Sequence, residues 1–126
     1  MTDKLERSVQ AFSDELDVFP GFKCTVFEIG ALLDDPNWTW GYEHGVYCFM
    51  DGDELAYVGR ALGSTLGERI WNQLHSTSDP KWAAVVENRQ NRVAVFSADA
   101  RWSFVASALE AFLTQDPRPP FNLKRQ

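Results

Sequence analysis

The spacing of hydrophobic residues changes along the chain, and each spacing predicts a different element. The first stripe recurs every three or four residues and consists of Leu5, Val9, Phe12 and Leu16. That spacing is typical of an amphipathic helix, which we expect to end before Pro20-Gly21. Residues 22–29 instead mix β-branched and aromatic side chains, as short strands do. The N-terminal part of the chain is therefore predicted to contain a helix followed by a strand.

Two apolar runs predict a β-hairpin. Residues 45–50 and 55–60 bracket Asp51-Gly52-Asp53-Glu54, and Asp-Gly tolerates the positive φ of tight turns. Thr65 and Glu68 then have the spacing of a capping box. They predict a helix whose buried stripe is Leu66, Ile70 and Leu74.

The rest of the chain predicts one more strand and at least one more helix. Asp79-Pro80 fits the opening of a short helix, whereas residues 82–86 equally fit a strand, and both alternatives stay open. Residues 92–97 alternate as a strand. Asp99 is expected to cap a helix over about residues 100–115. Its inward residues would be Trp102, Val105, Leu109 and Phe112. The predicted class is α/β (α+β), with a small central antiparallel or mixed sheet of about three strands, flanking helices, and an N-terminal helix and strand extension.

Composition points to one folded unit inside a cell. A chain of 126 residues suffices for one domain. Apolar runs stay short of the ~18 residues that span a bilayer, and the N-terminus lacks the pattern of a secretory signal. We therefore expect a cytoplasmic protein without membrane association. Cys24 and Cys48 lie in predicted strands without a C-x-x-C motif, and we expect both to be reduced core thiols.

The charge is unevenly divided. The net charge is −6, yet residues 1–59 carry three basic and twelve acidic side chains, whereas residues 60–126 carry nine basic and six acidic ones. An acidic protein is poorly suited to a phosphate backbone on average. The division nevertheless allows one face to be positive.

Two further features have a structural and a functional interpretation. Trp38, Trp40 and Tyr42 alternate before the hairpin, so an extended segment would project them from one side. They would form a stacking platform for bases or, as we favour, a wall of the core. Glu110 lies in an apolar helix with small neighbours one turn away, so a docked ligand could reach its carboxylate.

Five short motifs follow one another over residues 45–126. They are Gly45-Val46-Tyr47, Tyr57-Val58-Gly59, Arg69, Glu110 and Pro120-Phe121-Asn122. In this order they resemble the GIY-YIG nuclease superfamily. Each tripeptide alone is weak evidence for the family, whereas all five motifs in this order are a fairly specific signal. The resemblance implies a GIY-YIG-like domain over residues 45–126, with residues 1–44 as an acidic extension packed on its core.

The resemblance also implies roles for residues of a DNA endonuclease. Tyr47 would act as the general base or orient the attacking water, and Tyr57 would hydrogen-bond near the scissile phosphate. Arg69 would clamp the phosphate oxygens. Glu110 would hold a single Mg²⁺ or Mn²⁺ ion, which commonly needs only one or two carboxylates. Asn122 would brace the site.

Other residues match the family less closely. Arg60 stands where relatives often carry lysine, and together with Lys124 it would bind substrate. The interval from Tyr57 to Arg69 is about two residues longer than in many relatives, with Leu62-Gly63-Ser64 as the insertion. His75 lies two residues beyond the position of a histidine base in some relatives. We favour a structural role for His75, as a histidine at a helix C-terminus that the helix dipole stabilises.

The catalytic interpretation sets two conditions. A tyrosine with an ordinary pKa of ~10 is a poor base at neutral pH, so neighbouring cations or metal-bound water would have to tune Tyr47. The hairpin must also place Tyr47 and Tyr57 on one sheet face. A two-residue turn at Gly52-Asp53 would separate them, so we expect a three- or five-residue connection or a β-bulge.

Three functions remain open at this point. The first is a metal-dependent DNA endonuclease, which the full set of motifs favours. The second is a non-catalytic module of the same fold that binds nucleic acid or a protein partner, which the acidic N-terminal half favours. The third is an unrelated domain with coincidental motifs. A protein partner that supplies specificity is compatible with the first two.

Overall fold

Four strands and five helices make up the described part of the chain. The computed structural model describes residues 3–16, 19–115 and 118–122. The strands are β1 (Lys23–Glu28), β2 (Gly45–Asp51), β3 (Glu54–Ala61) and β4 (Arg92–Ser97). The helices are α1 (Asp3–Asp14), α2 (Ile29–Asp34), α3 (Leu66–Leu74), α4 (Pro80–Glu87) and α5 (Ser103–Leu113), and a 3₁₀ turn, Ala100–Trp102, precedes α5.

The strands form one antiparallel sheet in the order β1-β4-β2-β3. The mixed helix and strand class is confirmed. The sheet has four strands rather than about three, because β1 from the N-terminal extension pairs with β4 and becomes an edge.

Side chains alternate between the two faces of the sheet, because successive strand residues point to opposite sides. Tyr47 and Phe49 of β2 pack with residues of α2, α3 and α4, and we call this side the α3 face. Val46 and Cys48 pack with residues of α1 and α5 on the opposite side, the α5 face. Burying one large apolar side chain contributes about 1.5–3 kcal/mol, so both faces stabilise the sheet.

A β-bulge sets the register of the hairpin. Asp51 pairs with Glu54 across a two-residue turn, whereas Phe49 pairs with Tyr57, so the register shifts by one residue between them. The expected bulge is therefore confirmed. It brings Tyr47 and Tyr57 to the same face of the sheet despite the short turn.

The outer edge of β3 is covered by the C-terminal loop. Phe121 donates its backbone N–H to the Ala56 carbonyl at 3.1 Å. Asn122 forms two hydrogen bonds with Val58, accepting from its N–H and donating to its carbonyl, each at 2.8 Å. The amide side chain thus stands in for a strand residue and protects an edge that would otherwise be open.

Helix caps follow the sequence at two of three predicted positions. Thr65 accepts a hydrogen bond from the Glu68 N–H at 3.2 Å, as the capping box predicts. Asp79 caps α4 with Pro80 in its first turn, so the undecided segment is a helix. Asp99 instead accepts from the N–H of Arg101 in the 3₁₀ turn at 3.2 Å. The predicted helix over residues 100–115 therefore becomes α helical only at Ser103 and ends at Leu113.

Several smaller predictions are wrong. Cys24 is exposed rather than buried in the core, because its strand is at the sheet edge. Its thiol lies 3.5 Å from a Glu6 carboxylate oxygen. Cys48 is buried as expected. The segment with Trp38 and Trp40 forms turns rather than an extended strand. Phe112, predicted to face inwards, is 37% exposed.

No helix among the described residues combines the length and apolar character that crossing a bilayer requires.

We predict that Asn122→Ala lowers the free energy of unfolding by about 1–3 kcal/mol, because two half-buried hydrogen bonds to Val58 are lost. Urea denaturation monitored by circular dichroism measures the change. Asn72→Ala, on the exposed side of α3, is the matched control and should cost nothing. Equal stability of both variants would show that the Asn122 side chain does not hold β3.

Candidate active site

The two motif tyrosines meet on the α3 face. Their ring centroids are 6.1 Å apart, and Tyr47 and Tyr57 are 0% and 6% exposed. Tyr47 lies directly across Gly59, its partner on β3. A Cβ at position 59 would come within 2.8 Å of Tyr47 Cε1 and would overlap Cζ and the hydroxyl oxygen. Gly59 is therefore required because the phenol ring occupies the space of a side chain.

Trp82 of α4 packs against the ring of Tyr57. Its ring centroid lies 5.8 Å from that of Tyr57, 5.1 Å from Phe49 and 4.9 Å from Phe121. The indole N–H donates to the Gln73 carbonyl at 2.9 Å, which fixes the ring. Sequence reasoning missed this residue because its segment was undecided between helix and strand. Asp79-Pro80 was the signal that could have placed it on a helix.

Arg69 approaches the tyrosines from α3. It precedes the buried Ile70 by one residue, so its half-buried side chain leaves the helix beside the buried stripe. The Tyr47 hydroxyl is the main group that raises the pKa of Arg69, with smaller contributions from Tyr57 and Glu110. The additional residues of the Leu62-Gly63-Ser64 segment form a bend before α3 and do not prevent this approach.

The Tyr47 hydroxyl is buried without a well-formed hydrogen bond to any described residue. Burial and the neighbouring Tyr57 raise its pKa to about 12, although Arg69 opposes the shift. Among the described residues the pKa of Tyr47 thus moves away from neutrality, opposite to the tuning that a tyrosine base requires. Arg69 lies close enough to favour the phenolate, but desolvation outweighs it.

Glu110 interacts with one arginine directly and with a second one at longer range. Its carboxylate, 26% exposed, lies 3.3 Å from the guanidinium of Arg60, which is 49% exposed. The same carboxylate also contributes to the raised pKa of Arg69. Glu110 is therefore ion-paired with an arginine of β3 and acts electrostatically on an arginine of α3.

The remaining candidate residues lie outside the group formed by the tyrosines, the two arginines and Glu110, or outside the described residues. Asn122 braces β3 through Val58, between Tyr57 and Gly59 in sequence. Lys124 falls outside the described residues. His75 caps the C-terminus of α3, and its ring centroid lies 4.1 Å from that of Trp71 with the rings tilted by 31°. His44, the residue before the Gly45-Val46-Tyr47 motif, is half-buried, and its Nδ1 lies 3.1 Å from the Ser64 carbonyl oxygen.

The predicted stacking platform is not open. The rings of Trp38 and Trp40 stack on each other at 5.5 Å and 9°, and Phe27 covers the next face of Trp40 at 4.9 Å. Both tryptophans pack against the core of the α3 face. Tyr42 is separate and 72% exposed. These tryptophans form a wall of the core, as favoured from the sequence.

The donor set fits a hydrated magnesium ion better than zinc. No group of three or more His, Cys, Asp or Glu side chains that could hold a metal occurs among residues 3–16, 19–115 and 118–122. Glu110 supplies one partly solvated carboxylate. Mg²⁺ keeps most of its waters and needs only one or two carboxylates, whereas structural zinc sites use four nitrogen or sulfur ligands. Glu110 could thus hold Mg²⁺ or Mn²⁺.

The tyrosine cluster is covered in this conformation. Two surface clefts lie elsewhere, one beside α1 and the Arg118–Pro120 loop, the other beside Lys23, Tyr42 and His44. Comparison of the chain with protein-family models, curated proteins and solved structures found no match. The resemblance to GIY-YIG nucleases therefore rests on the residues described above.

We predict that Gly59→Ala destabilises the protein by about 1–3 kcal/mol, because the new methyl group overlaps the Tyr47 ring. Thermal or urea unfolding measures the loss. Gly63→Ala is the control, since a Cβ there meets nothing within 4 Å. Similar stability of the two variants would contradict the close contact between Tyr47 and Gly59.

We also predict a stability change at alkaline pH. Since the folded-state pKa of Tyr47 is about 12 and its ordinary value is 10.0, the folded state keeps the proton more tightly. This stabilisation is complete below pH ~10 and is lost as pH rises towards ~12. Between pH 8 and 10.5, wild type should lose about 0.8 kcal/mol more than Tyr47→Phe in urea unfolding. Tyr42→Phe should follow wild type, and parallel losses in all three proteins would refute the shift.

Proposed function

We propose that the protein is a metal-dependent endonuclease that hydrolyses DNA phosphodiester bonds. The observation that carries this proposal is that the rings of Tyr47 and Tyr57 lie 6.1 Å apart and that both tyrosines, with Glu110 of a third element, raise the pKa of Arg69. An unrelated domain would have no reason to combine these residue types at one place. The resemblance to GIY-YIG nucleases supports the same function.

The cationic side chains would bind the phosphate. Arg69 is half-buried and stays protonated, so its planar guanidinium can hold two non-bridging oxygens. Arg60 is more exposed and can contact a neighbouring phosphate. Positive charge placed against a developing phosphorane-like transition state lowers its free energy.

The tyrosines would position these groups. At neutral pH Tyr47 is a neutral phenol, since its pKa is about 12, and its buried hydroxyl faces Arg69 and Tyr57. We therefore assign it a positioning role rather than that of general base. Tyr57 is 6% exposed and is the closer of the two tyrosines to solvent. Because Tyr57 is buried, a substrate would have to move some of the side chains that cover it before its hydroxyl could donate to a phosphate oxygen.

Glu110 would hold the divalent cation, with Asn122 keeping β3 in place behind the site. A bound Mg²⁺ supplies charge stabilisation at phosphate oxygens and a more acidic water. The protein's own contribution is to orient the phosphate through Arg69 and to exclude bulk water from Tyr47.

A non-catalytic module is the second candidate, because one observation favours it. Tyr47 and Tyr57 are both buried, and the two described clefts lie elsewhere. Such a module would bind nucleic acid or a protein partner on its surface without cutting. It would have no need of the Glu110 carboxylate next to Arg69.

Cleavage of supercoiled plasmid and branched DNA by the purified protein tests the proposal. We expect nicking with Mg²⁺ or Mn²⁺ and none with EDTA. Glu110→Gln keeps the size of the side chain but removes its charge, and should lower the rate at least a hundredfold, because the metal ligand is lost. The amount of nicked product against time gives the rates.

Glu87→Gln at the exposed end of α4 is the matched control and should cut like wild type. Circular dichroism establishes that each variant is folded. Absence of cutting on every substrate, with equal DNA binding by wild type and Glu110→Gln, would favour the non-catalytic module. Cutting that persists in Glu110→Gln would refute the assigned metal ligand.

A further inference from the structure

The ion pair between Arg60 and Glu110 joins a predicted substrate ligand to the predicted metal ligand. One nitrogen of the guanidinium lies 3.3 Å from one carboxylate oxygen. Both side chains are partly exposed, 49% for Arg60 and 26% for Glu110. Ion pairs with this exposure contribute about 0–1 kcal/mol, so other ions can displace them.

The backbone under Arg60 is fixed, so movement is confined to its side chain. Gly59, the preceding residue, lies beneath the ring of Tyr47. Val58 is held by Asn122 through two hydrogen bonds of 2.8 Å. The Arg60 backbone also pairs with Val46 in the sheet. A long, half-exposed side chain on a fixed strand can swing between two anionic partners without disturbing the fold.

We propose that Arg60 is a placeholder cation on Glu110 that a divalent metal ion displaces. This inference rests on the proposed function. In the metal-free protein the guanidinium neutralises the carboxylate. When the metal binds, like-charge repulsion drives the guanidinium away from Glu110, and Arg60 becomes available to a substrate phosphate. Metal binding and phosphate binding are thereby coupled through one side chain.

Arg60 should oppose metal binding at Glu110 more strongly than a more distant arginine does. A guanidinium about 5 Å from a divalent cation opposes its binding by about fivefold in the dissociation constant at physiological ionic strength. Arg101 is exposed and lies in the 3₁₀ turn before α5, whose stretch from Ser103 to Glu110 alone is about 10 Å long at 1.5 Å per residue. At that distance salt screens most of its effect.

Mn²⁺ binding without DNA tests the inference and does not depend on cleavage. The signal of free Mn²⁺ in electron paramagnetic resonance gives the bound fraction, and wild type is compared with four variants. We expect Arg60→Gln to bind Mn²⁺ about fivefold more tightly than wild type. Arg60→Lys and Arg101→Gln should match wild type, because the first keeps the local charge and the second lies far away. Glu110→Gln should lose binding.

The outcomes separate the inference from the proposed function. Unchanged or weaker binding by Arg60→Gln, together with loss in Glu110→Gln, would overturn the placeholder and leave the metal site intact. Tighter binding by Arg101→Gln of the same size as Arg60→Gln would also overturn it, since the effect would be one of net charge. Equal Mn²⁺ binding by Glu110→Gln and wild type would overturn both the placeholder and the metal ligand.

A second readout tests the coupling. We expect Ca²⁺ to tighten binding of a short DNA duplex by wild type several-fold, measured by fluorescence anisotropy, and to do so less in Arg60→Gln. The same increase in both proteins would overturn the release of Arg60 to phosphate. Urea unfolding should show that Arg60→Gln and wild type differ by no more than about 1 kcal/mol.

Discussion

The contact between the Tyr47 ring and the Gly59 backbone is the constraint on which the site depends. It requires a residue without a side chain on β3 directly opposite the tyrosine. The ring then lies between the sheet and α3, where its hydroxyl raises the pKa of Arg69. The bulge in the hairpin adds Tyr57 to the same face, and Trp82 holds it there. A different register would place the two tyrosines on opposite faces, because strand side chains alternate.

Much of the fold could be predicted because local patterns agree with the packing. The hairpin, the Thr65 cap and the Arg92–Ser97 strand are determined by short-range spacing and turn chemistry. The bulge was predicted by a parity argument, which needs only that both tyrosines share a face. The family resemblance assigned Tyr47 and Arg69 to one site, since no local pattern brings residues 22 positions apart together.

Other features depend on tertiary contacts and could not be predicted. Cys24 is exposed because its strand lies at the sheet edge, and edge position is a property of strand order. Trp38 and Trp40 leave the extended conformation because their rings stack in turns against the core. The direction of the Tyr47 pKa shift follows from two opposing effects, burial and the Arg69 charge, and sequence gives neither distance nor depth.

An overall charge of −6 is compatible with a phosphate ligand if local charge decides binding. At physiological ionic strength charges beyond about 8 Å are largely screened. Within the site, Arg60 pairs with the Glu110 carboxylate and Arg69 is influenced by its charge, so these three groups together carry one positive charge. Under the proposed function a divalent cation on Glu110 would raise that local charge to three. The acidic N-terminal half would then oppose nonspecific contact with nucleic acid elsewhere on the surface, so productive binding would depend on the metal.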